Sequence, residues 1–359
     1  MKIALLGDIA LIGRFDLMQT KNVCERLKAV KEAIKDCDFV VGNLETPLTN
    51  IRKTYTCKGV YLRSDPKNVE VLKCLGITHV TLANNHTFDY GKSGAEETCK
   101  ILEQAGIRYV GLNGGAELLS DGKEKALLEG FCCLSANALG YGTTQGRVNL
   151  MSPERVEHFL KSAENQNAIP IVSAHFGVEG VHFPSIEHLG LFRKLAGQYT
   201  YILHGNHPHA IQGYEERDNS LLIYAQGNLC FDEVTTTSIH SIPGEKAEEL
   251  KCYLSIIELV GGKIKSHKTI AFEDCREKGL CNSTKVQAEL EQYCNDLELP
   301  LSEIALKRAE ELKQQRAGAE ARNLSFFAKR LNYRYIGAYL NGKKHAKEYK
   351  KMYKDFNKN

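Results

Sequence analysis

Five short runs carry side chains able to hold a metal ion and move a proton. They are Gly7-Asp8, Asn43-Leu44-Glu45, Leu82-Ala83-Asn84-Asn85-His86 leading into Phe88-Asp89-Tyr90-Gly91, Ala174-His175, and Gly205-Asn206-His207-Pro208-His209. The candidate donors are Asp8, Glu45, Asn85, His86, His175, His207 and His209, a mixture of carboxylate, amide oxygen and imidazole. Such a set suits borderline divalent cations such as zinc, manganese or iron. It contains no thiolate, which excludes a structural zinc finger. Two ions about 3.5 to 4 Å apart would clamp the attacking and leaving oxygens of a hydrolytic displacement and deprotonate a bound water near neutral pH. The seven groups suffice for one or two ions. A histidine left over could protonate the leaving group, since its pKa suits that task.

Taken singly, each run has a plainer reading. Gly7-Asp8 reads as a turn, Asn43-Leu44-Glu45 as a helix cap, Asn84-Asn85 as a turn that tolerates left-handed geometry, and His175 as a strand-end histidine satisfied by its surroundings. His207-Pro208-His209 points more directly to ligation. Proline restricts the residue before it to extended geometry, and extended residues at i and i+2 project on the same side. The runs gain meaning jointly, because each follows an apolar strand-like segment.

Those segments are Lys2 to Leu6, Asp38 to Val41, His79 to Leu82, Arg108 to Val110, Ile169 to Ser173, Tyr201 to Leu203 and Leu221 to Tyr224. Between them, helical patterns cover Asn22 to Lys35, Pro66 to Cys74, Ser93 to Gln104, Pro153 to Glu164 and Ile186 to Ala196. Ser64-Asp65-Pro66 reads as a helix start with proline at the first position, and Ala105-Gly106 as a helix end. Alternating strands and helices predict a layered α/β domain, whose ligands collect at the carboxyl ends of the strands. Cys252 to Leu259 and Lys263 to Thr269, joined by Gly261-Gly262, read as a β-hairpin closing that domain.

The chain has 359 residues, of which 43% are hydrophobic, enough for a substantial core. The charge is uneven. Residues 302–359 hold 15 Lys and Arg against 6 Asp and Glu, about +9, which leaves the remainder near −6. Helices are expected over Val286 to Leu297 and Ser302 to Gln315; beyond them Phe326, Phe327, Tyr333, Tyr335, Tyr339, Tyr349 and Tyr353 interleave with basic residues. The organisation expected is a domain over 1–272 and a basic helical extension over 284–359. The extension reads either as a solvated face packed through its aromatics or as a surface for lipid headgroups or a polyanion, with nucleic acid disfavoured. Twelve scattered cysteines without a C-x-x-C pair predict a reduced thiol pool. Asp8 and Arg14 interrupt the opening apolar run, so it reads as a strand rather than a signal peptide, and no run approaches the roughly 18 apolar residues that span a bilayer.

Two longer runs extend the pattern, Ala174-His175-Phe176-Gly177-Val178-Glu179 and Gly227-Asn228-Leu229-Cys230-Phe231-Asp232. With them, the order of motifs from about Lys2 to Asp232 resembles the CapA family. These are bacterial capsule and poly-γ-glutamate synthesis proteins with a calcineurin-like metallophosphoesterase fold. The resemblance implies a layered β-sheet domain flanked by helices. It implies that Asp8 and His209 hold one metal, that Asn85, His175 and His207 hold a second, and that Glu45 bridges them where ordinary metallophosphoesterases place an aspartate. It gives His86 as proton donor and Glu179 and Asn228 as residues lining the substrate side. The chain departs from the pattern at Ala10, where the first motif normally supplies a histidine, at Phe176, where many members read Trp, and at Asn206, where members often carry His or Ser. Many members carry a membrane anchor before the domain, whereas here the first strand opens the sequence.

The expected function is that of a cytoplasmic metal-dependent hydrolase in capsule or surface-polymer metabolism. It would act on a phosphate ester or, by the same electrophilic machinery, on a γ-glutamyl amide, and it could sit peripherally at the inner membrane surface through its basic extension. Its substrate would be an anionic small molecule or polymer. The competing expectation is a non-catalytic subunit of a polymer-synthesis complex that uses the pocket to hold an anion; Ala10 motivates it.

Overall fold

Strands that are apolar on both sides of the pleat need cover on both faces. The computed structural model describes residues 1–54, 60–113, 115–136, 142–143, 146–233, 247–318 and 333–356. Its strands are β1 (Lys2–Ile9), β2 (Phe39–Leu44), β3 (His79–Thr81), β4 (Arg108–Val110), β5 (Glu117–Ser120), β6 (Lys125–Cys132), β7 (Gly142–Thr143), β8 (Gly146–Arg147), β9 (Ile169–His175), β10 (Ile202–Asn206), β11 (Tyr214–Arg217), β12 (Ser220–Ile223), β13 (Asn228–Cys230), β14 (Lys251–Val260), β15 (Lys263–Asp274) and β16 (Leu280–Asn282). Its helices are α1 (Val23–Arg26), α2 (Lys28–Ile34), α3 (Val69–Leu75), α4 (Gly91–Gln104), α5 (Pro153–Glu164), α6 (Ile186–Ala196), α7 (Thr284–Leu297), α8 (Leu301–Gly318) and α9 (Tyr333–Met352).

Two sheets form the centre. One has the order β16-β15-β14-β1-β2-β3-β4 with β13 also paired to β1; the other runs β11-β12-β10-β9-β6-β5. The strands β1 to β4 are mutually parallel, as are β6, β9, β10 and β12. Alternation along each strand then sorts side chains into layers. Ile3 and Leu5 of β1 meet Ile171 and Ile202 of the other sheet in a shared core, while Ala4 and Leu6 point the other way, onto Val30 and Leu72 of the helices outside. Val172 and Leu203 of the second sheet turn outward onto Phe159, Leu189 and Phe192 of α5 and α6. The resulting helix–sheet–sheet–helix stack is the layered α/β architecture expected.

Local chemistry accounts for the helix ends. Ser152, Ser185 and Ser283 cap α5, α6 and α7, each side chain accepting from a backbone N–H three residues on. The α3 and α4 ends fall at Gly76 and Gly106, both at positive φ, and Gly261-Gly262 turn the β14–β15 hairpin at φ 61° and 68°.

Several expectations are corrected. The single helix over Asn22 to Lys35 is two, broken at Leu27, which leaves helical geometry as its side chain is buried. The first turn of the Pro66 helix is a 3₁₀ turn, Pro66–Asn68. Strands β5, β6, β7, β8, β11, β13 and β16 were not anticipated. Instead of a wholly reduced thiol pool, Cys24 and Cys74 form a disulfide joining α1 to α3, with Cα atoms 6.1 Å apart. Phe326 and Phe327 lie outside the described residues.

The basic extension is built into the stack. Val286 and Leu290 of α7 join the core between the sheets. Ile304 of α8 and Tyr353, just past α9, are fully buried with the α5–α6 layer. Truncating a buried aromatic of this size costs about 3–5 kcal/mol. Tyr353→Ala should therefore lower the unfolding free energy by that amount, read as a lower urea midpoint in one cooperative transition, whereas a midpoint equal to the wild type would place α9 outside the cooperative fold.

Candidate metal centre

Parallel strands in both sheets end at the same edge, and the polar runs sit there. Asp8 lies near the end of β1, Glu45 follows β2, Asn84 to His86 follow β3, His175 ends β9 and His207 follows β10. Around Asp8 the pairing of β1 shifts register with both β2 and β13. Such irregularities re-aim side chains beside functional sites. Gly7 permits the approach, because a Cβ there would stand 2.2 Å from the Gly227 carbonyl oxygen.

The side chains converge. Three groups have donor atoms all within 4.8 Å of one another: Asp8, Glu45 and His209; Glu45, His175 and His207; and Glu179, His207 and His209. Glu45 belongs to two of them, with Oε1 3.7 Å from His175 Nε2 and 3.6 Å from His209 Nε2. Asn85 Oδ1 lies 3.0 Å from His175 Nε2, on the same side. Apart from Glu179, which is exposed, and His209, which is half-buried, these groups are buried.

His207 and His209 are not extended, as the sequence suggests, but at φ 100° and 53°. Pro208 disfavours helical geometry at 207. The remaining strain is held by a bond from the His207 N–H to Asp8 Oδ2 at 3.1 Å. Both rings still reach the cluster, by a turn rather than by strand alternation. Asn228 stands behind His209, its Oδ1 2.8 Å from Nδ1, and so orients the ring.

Two residues quoted in the motifs, but given no role there, shape the site. Asn43 Nδ2 donates to Asp8 Oδ1 at 2.7 Å and lies 3.2 Å from His175 Nδ1. Asp89, fully buried, holds His86 Nδ1 at 2.7 Å and accepts from the Leu62 N–H. The His86–Asp89 spacing of three residues in a turn was the available signal. Asn84 shapes that turn, its Oδ1 accepting from the N–H groups of His86 and Thr87. A further contribution comes from far along the chain and left no signal. Glu311 of α8 accepts from the His182 N–H at 2.8 Å, and Gln315 Nε2 donates to the Glu179 carbonyl at 2.7 Å, so α8 pins the loop that carries Glu179.

Electrostatics show which charge the cluster favours. Burial alone would strip the proton from His209. The carboxylates of Glu45, Asp8 and Glu179 and the bond to Asn228 outweigh it, raising the pKa to about 9. Asp8 is itself pushed above the usual carboxylate range, by burial, against the pull of His209, Asn43 and the His207 N–H. The surroundings thus favour positive charge where the imidazole proton sits. Carboxylate, amide and imidazole donors gathered around that excess negative charge fit one or two divalent ions of the manganese, zinc or iron type. Ala10 is fully buried and supplies no donor.

Facing sheets clad by helices, with carboxylates and imidazoles gathered at the carboxyl ends of the strands, define a layered α/β protein with a candidate cation site at its strand ends. Residues 2–233 match the family model described as "Bacterial capsule synthesis protein PGA_cap", and the chain belongs to that family. It is 27% identical over 242 residues to the PGA biosynthesis protein CapA of Bacillus subtilis, covering 64% of this chain and 62% of that protein. It is 26% identical over 248 residues to the capsule biosynthesis protein CapA of Bacillus anthracis, covering 64% and 59%. The match thus spans about three fifths of these relatives' length. Among solved structures it is similar to a 5'-nucleotidase precursor from Thermus thermophilus, with 11% identity, TM-score 0.46, and coverage of 83% of this chain and 59% of that one.

Two expectations follow. The raised His209 pKa means its proton stabilises the ion-free protein below the ordinary histidine range, and that stabilisation is lost as pH rises through about 9. An ion must displace the proton, so calorimetric affinity for Mn²⁺ should rise about tenfold per pH unit from pH 6.5 toward 9; a pH-independent affinity would contradict this picture. Outer-shell partners typically change metal affinity by about 10- to 100-fold. Replacing Glu311 and Gln315 by alanine should therefore weaken Mn²⁺ binding about tenfold, with the exposed Glu310→Ala as an unchanged control.

Proposed function

We propose that this chain is a metal-dependent hydrolase of the phosphoesterase type, working on an anionic substrate in capsule or surface-polymer metabolism. The observation that carries the reading is Glu45, buried and common to two donor groups, Asp8/Glu45/His209 and Glu45/His175/His207. A carboxylate so placed is what bridging of adjacent cations requires. Bound ions would supply Lewis acidity and an activated water.

The chain's own groups supply the rest. Asp89 accepts from His86 Nδ1–H, fixes the ring's orientation and stabilises its protonated form, leaving Nε2 to deliver a proton to the departing oxygen. Asp89 is fully buried and His86 nearly so, which keeps that proton from bulk water. Glu179, exposed beside His207 and His209, stands where an incoming substrate would meet the cluster. A phosphate ester and a γ-glutamyl amide both fit this machinery, since each needs a polarised electrophile and a protonated leaving group.

A second reading has a specific observation behind it. Ala10 puts a buried methyl where a ligand is customary, which favours a binding subunit that holds an anionic product without cleaving it. The two readings separate on His86. With Mn²⁺ loaded, assayed on an aryl phosphate and a γ-glutamyl peptide, His86→Ala should lower kcat by about 10²- to 10⁴-fold at unchanged metal stoichiometry. Turnover equal to the wild type would remove His86 from the chemistry, and wild-type protein that binds metal but turns over neither substrate would favour the binding subunit.

A further inference from the structure

Helix α9 presents two opposite stripes. Facing inward at spacings of four and three are His345, Tyr349 and Met352; Tyr349, Met352 and, in the 3₁₀ turn past the helix end, Phe356 pack against the α5–α6 core. Tyr349 and Met352 also reach the cluster holding Ala83 and Phe88, on either side of Asn84 to His86. The outward stripe has the same spacings: Ile336, Leu340, Lys343, Lys347 and Lys350, with Lys354 continuing it past the helix end. At 3.6 residues per turn these lie along one line, half a turn from the buried stripe.

The composition of that outward line is unusual for a solvated face. Ile336 and Leu340 are 52% and 59% exposed, and Tyr339 beside them 62%. The lysines are exposed, and no acidic residue falls on the line; the Lys343 ammonium lies over the Tyr339 ring at 4.6 Å. A soluble polyanion would need only the cations. Branched aliphatic side chains held in water at the end of a lysine row call for an apolar phase beneath a negatively charged surface, the arrangement of interfacial helices.

We propose that the outward face of α9 docks the protein on an anionic lipid bilayer, with Ile336, Tyr339 and Leu340 entering the headgroup boundary and Lys343, Lys347 and Lys350 meeting lipid phosphates. Because the inward stripe of the same helix packs beside the Asn84–His86 turn, docking would hold the metal centre near the membrane surface. Docking of this face requires no hydrolysis by the strand-end cluster.

The test is flotation of the full chain with phosphatidylglycerol/phosphatidylcholine vesicles against pure phosphatidylcholine. Binding should require the anionic lipid and fall steeply with salt. Replacing Lys343, Lys347 and Lys350 by glutamine should weaken it about a hundredfold. Replacing Ile336 and Leu340 by serine should weaken it at least about tenfold. Neither set touches the buried stripe, so thermal stability should hold. Equal binding to neutral vesicles, or charge variants that bind as the wild type does, would overturn the proposal. So would binding of soluble polyphosphate unaffected by the serine pair and unaccompanied by vesicle binding, since it would assign the face to a polyanion.

Discussion

Negative charge gathered out of water has to be neutralised, and the strand-end cluster depends on that constraint. Asp8 and Glu45 are buried, with Glu179 close by, and the proton on His209 is the charge the site retains against its own desolvation. Carboxylates brought together this way cost free energy unless a cation shares the space. The fold supplies the setting: parallel strands from two sheets end along one edge, so groups far apart in the chain arrive together. Asn43 shows how fully this is exploited, since one side chain of β2 touches both Asp8 of the first sheet and His175 of the second.

Much of this was legible because strand ends in α/β proteins are marked by a change of residue type. The apolar runs at Lys2, Ile169 and Arg108 became β1, β9 and β4, and the donor types that follow the first two became part of the site. The failures have physical reasons. Strand β6 reads Lys-Ala-Leu-Leu-Glu-Gly-Phe-Cys, poor in β-branched residues, and is a strand because its neighbours β5 and β9 make it one. Its Glu129 interrupts the apolar pattern, yet is buried and bonded to Asn149 and the Gly130 N–H, with burial raising its pKa to about 7. The histidines at 207 and 209 were assigned to the site by the wrong geometry, because a sequence rule for extended chains cannot anticipate a backbone held at positive φ by a carboxylate 199 residues away.

The contribution of the C-terminal helices was the least legible part. Nothing in α8 marks Glu311 and Gln315 as different from their charged and polar neighbours, since their role comes only from where Ile304 anchors the helix. The loop they hold carries Gly177 and Gly180 at φ 108° and 66°, a conformation of little intrinsic preference outside glycine. Order at Glu179 is therefore lent by a helix more than a hundred residues downstream. Deleting the extension would alter the site's mouth as well as the surface.

The amide of Asn43 has one more consequence. With Nδ2 turned inward it donates to Asp8, and the ring nitrogen of His175 that faces it must accept. A neutral His175 then carries its hydrogen on Nε2 and gives it to Asn85 Oδ1. Seating a cation on Nε2 requires the other tautomer, and with it the opposite amide atom toward the ring, at the expense of the donor that Asp8 now enjoys. The orientation of a single side chain thus distinguishes a centre arranged for protons from one arranged for metal, and a rotation about one bond separates the two.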